Sequence, residues 1–359
     1  MAVSFIRGES SDAEAKSPRQ VPLVVDLDNT LIATDLLFES LARLLRDRPL
    51  AGFLVPFWLM RGIAWLKHEL ASRVALDVDT LPYRFDLIEY LKSEKKRGRA
   101  VALATGADEQ FAQKVADHLG IFDFTFASDG QVNLCGKAKR DLLIRHFGDK
   151  GFDYIGDGQG FSNKEAAVES ASRLSGQIGP ETGLRARALL AVRALRPSHW
   201  LKNVLVFVPL AIAKRWEDPH LLLNVMLAFL ALSFCASAGY LLNDLFDLDA
   251  DRRHPTKKSR PFASGALPLI YALVLVPLAL AGGLLLACLA LPAFGLMAAF
   301  YFSMSALYSV RLKSVALIDV LFLSGLYTMR IMAGSVVTGL WSSHWILGSA
   351  ALLFFSLAL

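Results

Sequence analysis

The chain has 359 residues, a formal net charge of +5, 54% hydrophobic residues and 20% charged residues. From Pro261 to Leu359 the only Asp, Glu, Lys or Arg residues are Arg311, Lys313, Asp319 and Arg330, while the chain before about residue 200 has ordinary charge density. That asymmetry excludes one uniform water-soluble fold, and the basic residues show none of the aromatic interleaving of RNA-binding segments, so nucleic acid is not an expected partner. Cys135, Cys235 and Cys288 form no CxxC pair and read as small buried hydrophobes in a reducing compartment.

Residues 1–20 lack an apolar core of signal-peptide length and are expected to form a disordered leader, which keeps the following domain in the cytoplasm. Residues 21–178 read as an α/β domain. "VPLVVDLDNTLIATD" is an apolar, β-branched run ending in Asp26, Asp28 and Thr30. A buried parallel strand ending there puts its acids at the edge where α/β sheets place their sites, and side chains two apart share a face. "RAVALATGAD" supplies a second strand end at Thr105, and "FDYIGDGQG" a third at Asp157. Asp, Thr and Asp at three strand ends suit a phosphate and Mg²⁺ site with a nucleophile and an acid/base.

The segment between Thr30 and Thr105 reads as a helical cap, about 33–85, that governs substrate access. Its stretch "AGFLVPFWLMRGIAWLKHEL" is unusually apolar but is interrupted by Arg61, which favours a helix in the membrane interface or against the other domain over a dedicated span. Residues 179–197, with Arg185, Arg187, Arg193 and Arg196 among Leu, Ala and Val, read as a basic amphipathic linker helix on the cytoplasmic membrane face.

Residues 198–359 read as an all-α membrane domain of six spans. These are expected at about 198–213, 221–242, two within the uncharged stretch 266–310 with a turn at "LPAF", 314–338, and a last one from near Trp345. Lys and Arg recur on alternate connections, so the positive-inside rule sets the N-terminal domain and the loop after the second span in the cytoplasm of an inner or plasma membrane. The sequence stops inside the apolar run "LLFFSLAL", which predicts further spans beyond a truncated end.

The loop after the second span reads "NDLFDLDADRRHPTKKSRPFASG". Taken as helix, Asn243, Asp247 and Asp251 fall at i, i+4 and i+8 on one face, with Asp244 adjacent. Oxygen ligands so placed suit Mg²⁺, which takes its other ligands from water and substrate phosphates. The bases that follow suit the non-bridging oxygens of a diphosphate. A solvated loop whose bases only set topology explains the bases but not the regular acids. Asp319 and Arg330 stand inside an apolar helix, where ionisable residues are functional candidates.

"DLDNT", "LATG", the lysine of "GKAK" and "GDG" resemble the four motifs of the haloacid dehalogenase superfamily of phosphohydrolases, over about residues 20–175. The resemblance implies Asp26 as nucleophile, Asp28 as acid/base, and Thr105 with Lys139 on the phosphoryl oxygens. Lys137 competes for the lysine role. It also implies a Mg²⁺ site with Asp26, Asp28 and Asp157. A second acid usual four residues after Asp157 is here Phe161, with Ser162 or Asn163 as substitutes.

"NDxxDxxxD" followed by "HPxKxxRPxASG" resembles the UbiA superfamily of intramembrane prenyltransferases. "RPSHWLKNVLVFVPL", "LYSVRLKSVALIDV" and "RIMAG" are similar to its polyprenyl-phosphate phosphoribosyltransferase branch. That resemblance implies phosphoribosyl pyrophosphate as donor and a polyprenyl phosphate lipid as acceptor. Mg²⁺-pyrophosphate would lie on Asn243, Asp244, Asp247 and Asp251, and substrate contacts would come from Lys202, Asn203, Lys257, Lys258, Arg260, Tyr308, Arg311 and Lys313. Two other readings stand beside it. One is transfer of a prenyl group from its diphosphate to an aromatic acceptor; the other is a non-catalytic scaffold with a degenerate hydrolase domain.

Overall fold

Short β-branched runs bounded by charged or glycine-rich loops form strands β1 (Leu23–Val25), β2 (Val101–Asp108), β3 (Phe124–Ser128) and β4 (Asp153–Ile155) in a computed structural model. The structure describes residues 21–156, 183–310, 316–340 and 343–358. It divides into two units by contact: Met1–Arg185 with Asp249–Leu269, and Ala186–Leu248 with Ile270–Leu359.

In the first unit the strands pair in parallel, in the order β3-β2-β1-β4. Strands buried on both faces need no polar alternation. Leu23, Val25, Val101 and Leu103 join one apolar core, while Val24, Ala102 and Ala104 join another, as the two-residue period requires. After β1 the backbone makes one wide turn, Leu27–Leu31, in which Asn29 takes φ 56°. Asparagine is among the few residues that enter the left-handed region readily.

The predicted cap is helical: α1 (Leu36–Asp47), α2 (Val55–Met60) and α3 (Ile63–Arg73). It is pinned at its base, where Ile32 bridges Tyr83 and Ala33 N donates to the Pro82 carbonyl at 2.9 Å. In the apolar stretch 49–60, Leu50, Phe53, Phe57 and Met60 are exposed. Helices α4 (Phe85–Lys96), α5 (Glu109–Leu119) and α6 (Lys137–Phe147) complete the α/β unit. This small parallel sheet is compatible with the expected α/β class.

Of the expected linker helix, residues 179–182 lie outside the described residues, and α7 spans Leu184–Ala194. The first expected span, 198–213, is not an α-helix. It is a 3₁₀ segment, Pro197–Phe207, followed by a short α8 (Val208–Ile212). Pro209 accounts for the change of helix type: it has no N–H to give to residue 205, so it is tolerated only in the first turn of an α-helix. The others follow as α9 (Pro219–Phe246), α10 (Leu248–Arg253), α11 (Leu269–Ala290), α12 (Pro292–Val310), α13 (Ala316–Thr338) and α14 (His344–Ala358). Among the described residues three stretches are long and apolar enough to cross a membrane: Pro219–Phe246, Leu269–Ala290 and Ile318–Thr338.

Small residues let this second unit pack closely. A Cβ on Gly334 would stand 2.0 Å from the Val206 carbonyl oxygen, and one on Gly283 would stand 2.9 Å from that of Ala231. Between helices in a membrane, such close approach replaces the hydrophobic drive that water supplies elsewhere.

Candidate active-site residues

Parallel strands bring their C-terminal ends to one edge. Asp26 follows β1 there, and its N–H donates to the Ile155 carbonyl of β4 at 2.8 Å. Asp26 Oδ1 accepts from Leu27 N at 2.8 Å. Its Oδ2 accepts from Lys139 Nζ at 2.7 Å and from the Tyr154 hydroxyl at 2.9 Å. Lys139 is buried, on the first turn of α6, while Lys137 is exposed. Of the two lysines, only Lys139 is therefore placed on Asp26. Thr105 is fully buried, and its Oγ1 accepts from Ala107 N at 3.0 Å. Asp157, Phe161, Ser162 and Asn163 lie outside the described residues.

Asp28 Oδ1 accepts from Leu36 N, at the start of the cap, at 2.9 Å. Burial, then the neighbouring Asp35 and Asp26 charges, hold its carboxyl well above the usual aspartate range. A carboxyl whose charged form is disfavoured is the kind that can serve as an acid toward a leaving oxygen. A small pocket opens beside it, lined by Asp28, Ser40, Lys67, Asp108 and Phe111. Lys67 Nζ donates to the Gly106 carbonyl at 2.6 Å and Asn133 Oδ1 at 2.9 Å, and His68 Nδ1 lies 3.0 Å from Asp108 Oδ2. The cap thus contacts the C-terminal end of β2 and the loop after β3. Tyr154 and Lys67 were not among the expected site residues. A tyrosine in an apolar strand reads as core, and a lysine on an amphipathic helix as a solvated face.

The acidic motif is arranged differently from the single helix expected. Helix α9 ends at Phe246, and Asp247 caps it, its N–H donating to the Asn243 carbonyl at 2.9 Å. The chain then restarts as α10. The division between units falls two residues later, so Asn243, Asp244 and Asp247 belong to the second unit and Asp251 to the first. Asp244 is buried and pairs with Arg196. Asp251 is buried and pairs with Arg260 at 2.6 Å. Lys257 and Lys258 are exposed on a 3₁₀ turn, and His254 shapes that turn, its Nδ1 accepting from Thr256 N at 3.3 Å.

Among the described residues no three His, Cys, Asp or Glu side chains converge to hold a metal ion unaided. The donor set is nonetheless the kind Mg²⁺ takes: one or two carboxylates, with substrate phosphates and water completing its shell.

In the second unit Lys202 lies 5.8 Å from the centre of the Tyr327 ring, and the Tyr308 hydroxyl donates to Asp319 Oδ1 at 2.5 Å. Asn203 is buried. Its amide donates to Ser233 Oγ at 3.0 Å, and its Oδ1 accepts from Arg330 Nε at 2.8 Å. The remaining Arg330 nitrogens donate to the Leu326 carbonyl at 2.8 Å and the Tyr301 hydroxyl at 2.7 Å. Arg311 and Lys313 lie outside the described residues.

Residues 200–359 match the model of the UbiA prenyltransferase family. An uncharacterized protein, y4nM, of Sinorhizobium fredii is 36% identical over 357 residues, a match covering 95% of this chain and 69% of the relative. Decaprenyl-phosphate phosphoribosyltransferase of Mycobacterium tuberculosis is 40% identical over 164 residues, 44% of this chain and 53% of the enzyme. Nodulation protein NoeC of Azorhizobium caulinodans is 40% identical over 167 residues, 46% of this chain and 53% of the relative. The chain therefore spans about half the length of these last two. Residues 200–359 are therefore a domain of the UbiA prenyltransferase family, and the apolar helices within them are of a length and composition that suggest a membrane protein.

Proposed function

We propose that the chain is a UbiA-type transferase that moves 5-phosphoribose from phosphoribosyl pyrophosphate to a polyprenyl phosphate lipid. We further propose that its N-terminal unit is a haloacid dehalogenase-like phosphohydrolase, facing the cytoplasm, that removes the 5′-phosphate of the product. The observation that carries the first part is the 40% identity over 164 residues to a decaprenyl-phosphate phosphoribosyltransferase. The observation that supports the second is Asp26 held by Lys139, with Asp28 two residues on hydrogen-bonded to the start of the cap.

In the transfer, a phosphate oxygen of the lipid bonds to ribose C1 as the C1–oxygen bond to pyrophosphate breaks. Asn243, Asp244, Asp247 and Asp251 would hold Mg²⁺, which neutralises charge on the departing diphosphate. Lys202, Lys257, Lys258, Arg260, Arg311 and Lys313 are the phosphate contacts, with Tyr308 lining the site. Asn203 is spent on Ser233 and Arg330, so its part is to orient Arg330. Arg196 pairs with Asp244 and Arg260 with Asp251, so each of these acids already stands beside a base.

In the hydrolysis, an Asp26 oxygen bonds to phosphorus while Asp28 protonates the leaving ester oxygen. Asp28 then takes a proton from the water that attacks the aspartyl-phosphate, releasing phosphate. Lys139 and Thr105 hold the phosphoryl oxygens, and Asp26, Asp28 and Asp157 are the candidate Mg²⁺ ligands.

Full-length protein in membranes, given labelled phosphoribosyl pyrophosphate and polyprenyl phosphate, should yield the dephosphorylated ribosyl lipid. Asp26→Asn should accumulate the 5′-phosphorylated lipid, its hydrolysis slowed by at least about 10³-fold. Product from prenyl diphosphate and an aromatic acceptor, with none from phosphoribosyl pyrophosphate, would overturn the first part. Unchanged dephosphorylation by Asp26→Asn would overturn the second.

A further inference from the structure

The acidic motif holds one carboxylate more than the NDxxDxxxD spacing uses. Asp249 falls between Asp247 and Asp251. In the first unit Asp249 Oδ1 accepts from Arg43 Nη2 at 2.5 Å and from Thr80 Oγ1 at 3.0 Å, and Arg46 Nη1 lies 3.4 Å from Oδ2. Three residues on, Arg252 grips Glu39 with both terminal nitrogens, at 2.5 and 3.3 Å, and gives Nε to the Ala263 carbonyl at 3.1 Å. Arg253 pairs with Asp77. At the far end of the loop, Gly265 (φ 76°) approaches so closely that a Cβ there would stand 2.2 Å from the Ala33 carbonyl oxygen. Every group that holds the loop in these contacts, from Ala33 to Thr80, belongs to the cap insertion.

Glu39, Arg43 and Arg252 are buried, with side chains 0%, 2% and 6% exposed. Buried charges persist only when paired, and loss of one strands another. Glu39 and Asp249 balance Arg43 and Arg252. Arg43 also keeps Nε and Nη1 without protein partners. An apolar side chain would fill that space without the penalty, so packing alone does not account for the arginine.

We propose that the cap insertion is the positioning element of the transferase's acidic loop. Glu39 and Arg43 fix Arg252 and Asp249, and so fix where Asp251 and its partner Arg260 stand in the loop. The inference rests on reading the motif as a diphosphate site. It also ties the two chemistries to one helix. Helix α1 gives its first N–H, at Leu36, to Asp28, and one and two turns later it presents Glu39 and Arg43 to the loop.

The test uses the full chain in lipid nanodiscs, with Glu39→Gln, Arg252→Gln, their double variant and the milder Thr80→Val. Amide exchange of peptides spanning 249–265 and the donor KM and kcat are measured, with phosphoribosyl pyrophosphate and polyprenyl phosphate as substrates. Each single Glu39 or Arg252 variant should speed exchange in the loop about tenfold, leave β1 and β2 unchanged, and raise donor KM more than it lowers kcat. The double variant should be no worse than either single one, and Thr80→Val should shift both readouts in the same direction by less. Unchanged loop exchange overturns the proposal, and so does faster exchange with an unchanged KM. A wild-type chain that turns over neither substrate refutes the functional reading instead. The clamp is then decided by exchange alone, supported by a faster loop and refuted by an unchanged one.

Discussion

The two units bury cations by different rules. In the first, buried charges meet opposite charges: Lys139 on Asp26, Arg99 between Glu94 and Asp153, and Arg252 on Glu39. In the second, Arg330 is buried in an apolar helix, and its partners are an amide, a phenol, a peptide carbonyl and two tyrosine rings. Among the described residues no carboxylate forms an ion pair with it. Asp244, a buried anion of that unit, does pair with a base, Arg196, at the end of α9 that leads into the acidic loop. The lesson concerns what each side chain is for. A cation balanced by a carboxylate forms a neutral pair, which fixes structure at Arg99 and Arg252 and leaves Lys139 an anion partner to exchange at the proposed hydrolase site. A cation satisfied by neutral dipoles keeps its net charge and remains an attraction for an anion.

That contrast predicts unequal costs for similar truncations. Arg43→Met leaves Asp249 short of its main partner and Glu39 with an extra negative charge. It should cost about 3–5 kcal/mol, the usual loss when one member of a buried pair is removed. Arg330→Met strands only neutral acceptors and should cost about 1 kcal/mol, near the value of single polar contacts between membrane helices. Urea or thermal unfolding of the full chain, followed separately by exchange in β1 and in α13, checks both. Equal losses would erase the distinction.

Close packing offers a second comparison. In the first unit the glycines at Gly120 and Gly98 only turn the backbone, with open space where a Cβ would be. In the second, Gly334 is a contact surface for the 3₁₀ segment. Gly334→Val should therefore destabilise the second unit by about 3 kcal/mol, through overpacking against backbone that cannot yield. Gly120→Asn should cost well under half of that, since asparagine accepts the left-handed conformation. Melting of the two variants side by side sorts them.

Much of this was legible in the sequence, for identifiable reasons. The strand end at Asp26 and the lysine on α6 announce themselves because strand, loop and helix each leave a local pattern, whereas the second strand, expected to end at Thr105, runs on to Asp108 past a register shift. The apolar spans do so through length. The break at Asp247 left no mark, since neither glycine nor proline interrupts "NDLFDLDAD", and a run read by periodicity alone continues through it. Pro209 did carry a signal, a missing N–H in the middle of an expected span. The Glu39–Arg252 and Arg43–Asp249 pairs join residues 213 and 206 positions apart. No spacing rule reaches so far, and on α1 alone Glu39 and Arg43 look like an ordinary i,i+4 surface pair.

The smallest expected effect concerns pH. Burial by itself would raise the Asp249 carboxyl, but the hydrogen bond and charge of Arg43, with Thr80 and Arg46 behind them, hold it below the usual aspartate range. A depressed folded-state value means the contribution is complete above the unfolded value, near 3.9, and is lost as pH falls through the folded one. The stability difference between wild type and Asp249→Asn should thus stay level from pH 8 to about pH 5 and shrink only below about pH 4. A difference that already fades between pH 7 and 5 would mean that a histidine, not Asp249, governs the loop. His254 and His68 are the groups to replace in that case, since His254 sits on the loop's own turn and His68 on the cap that grips it.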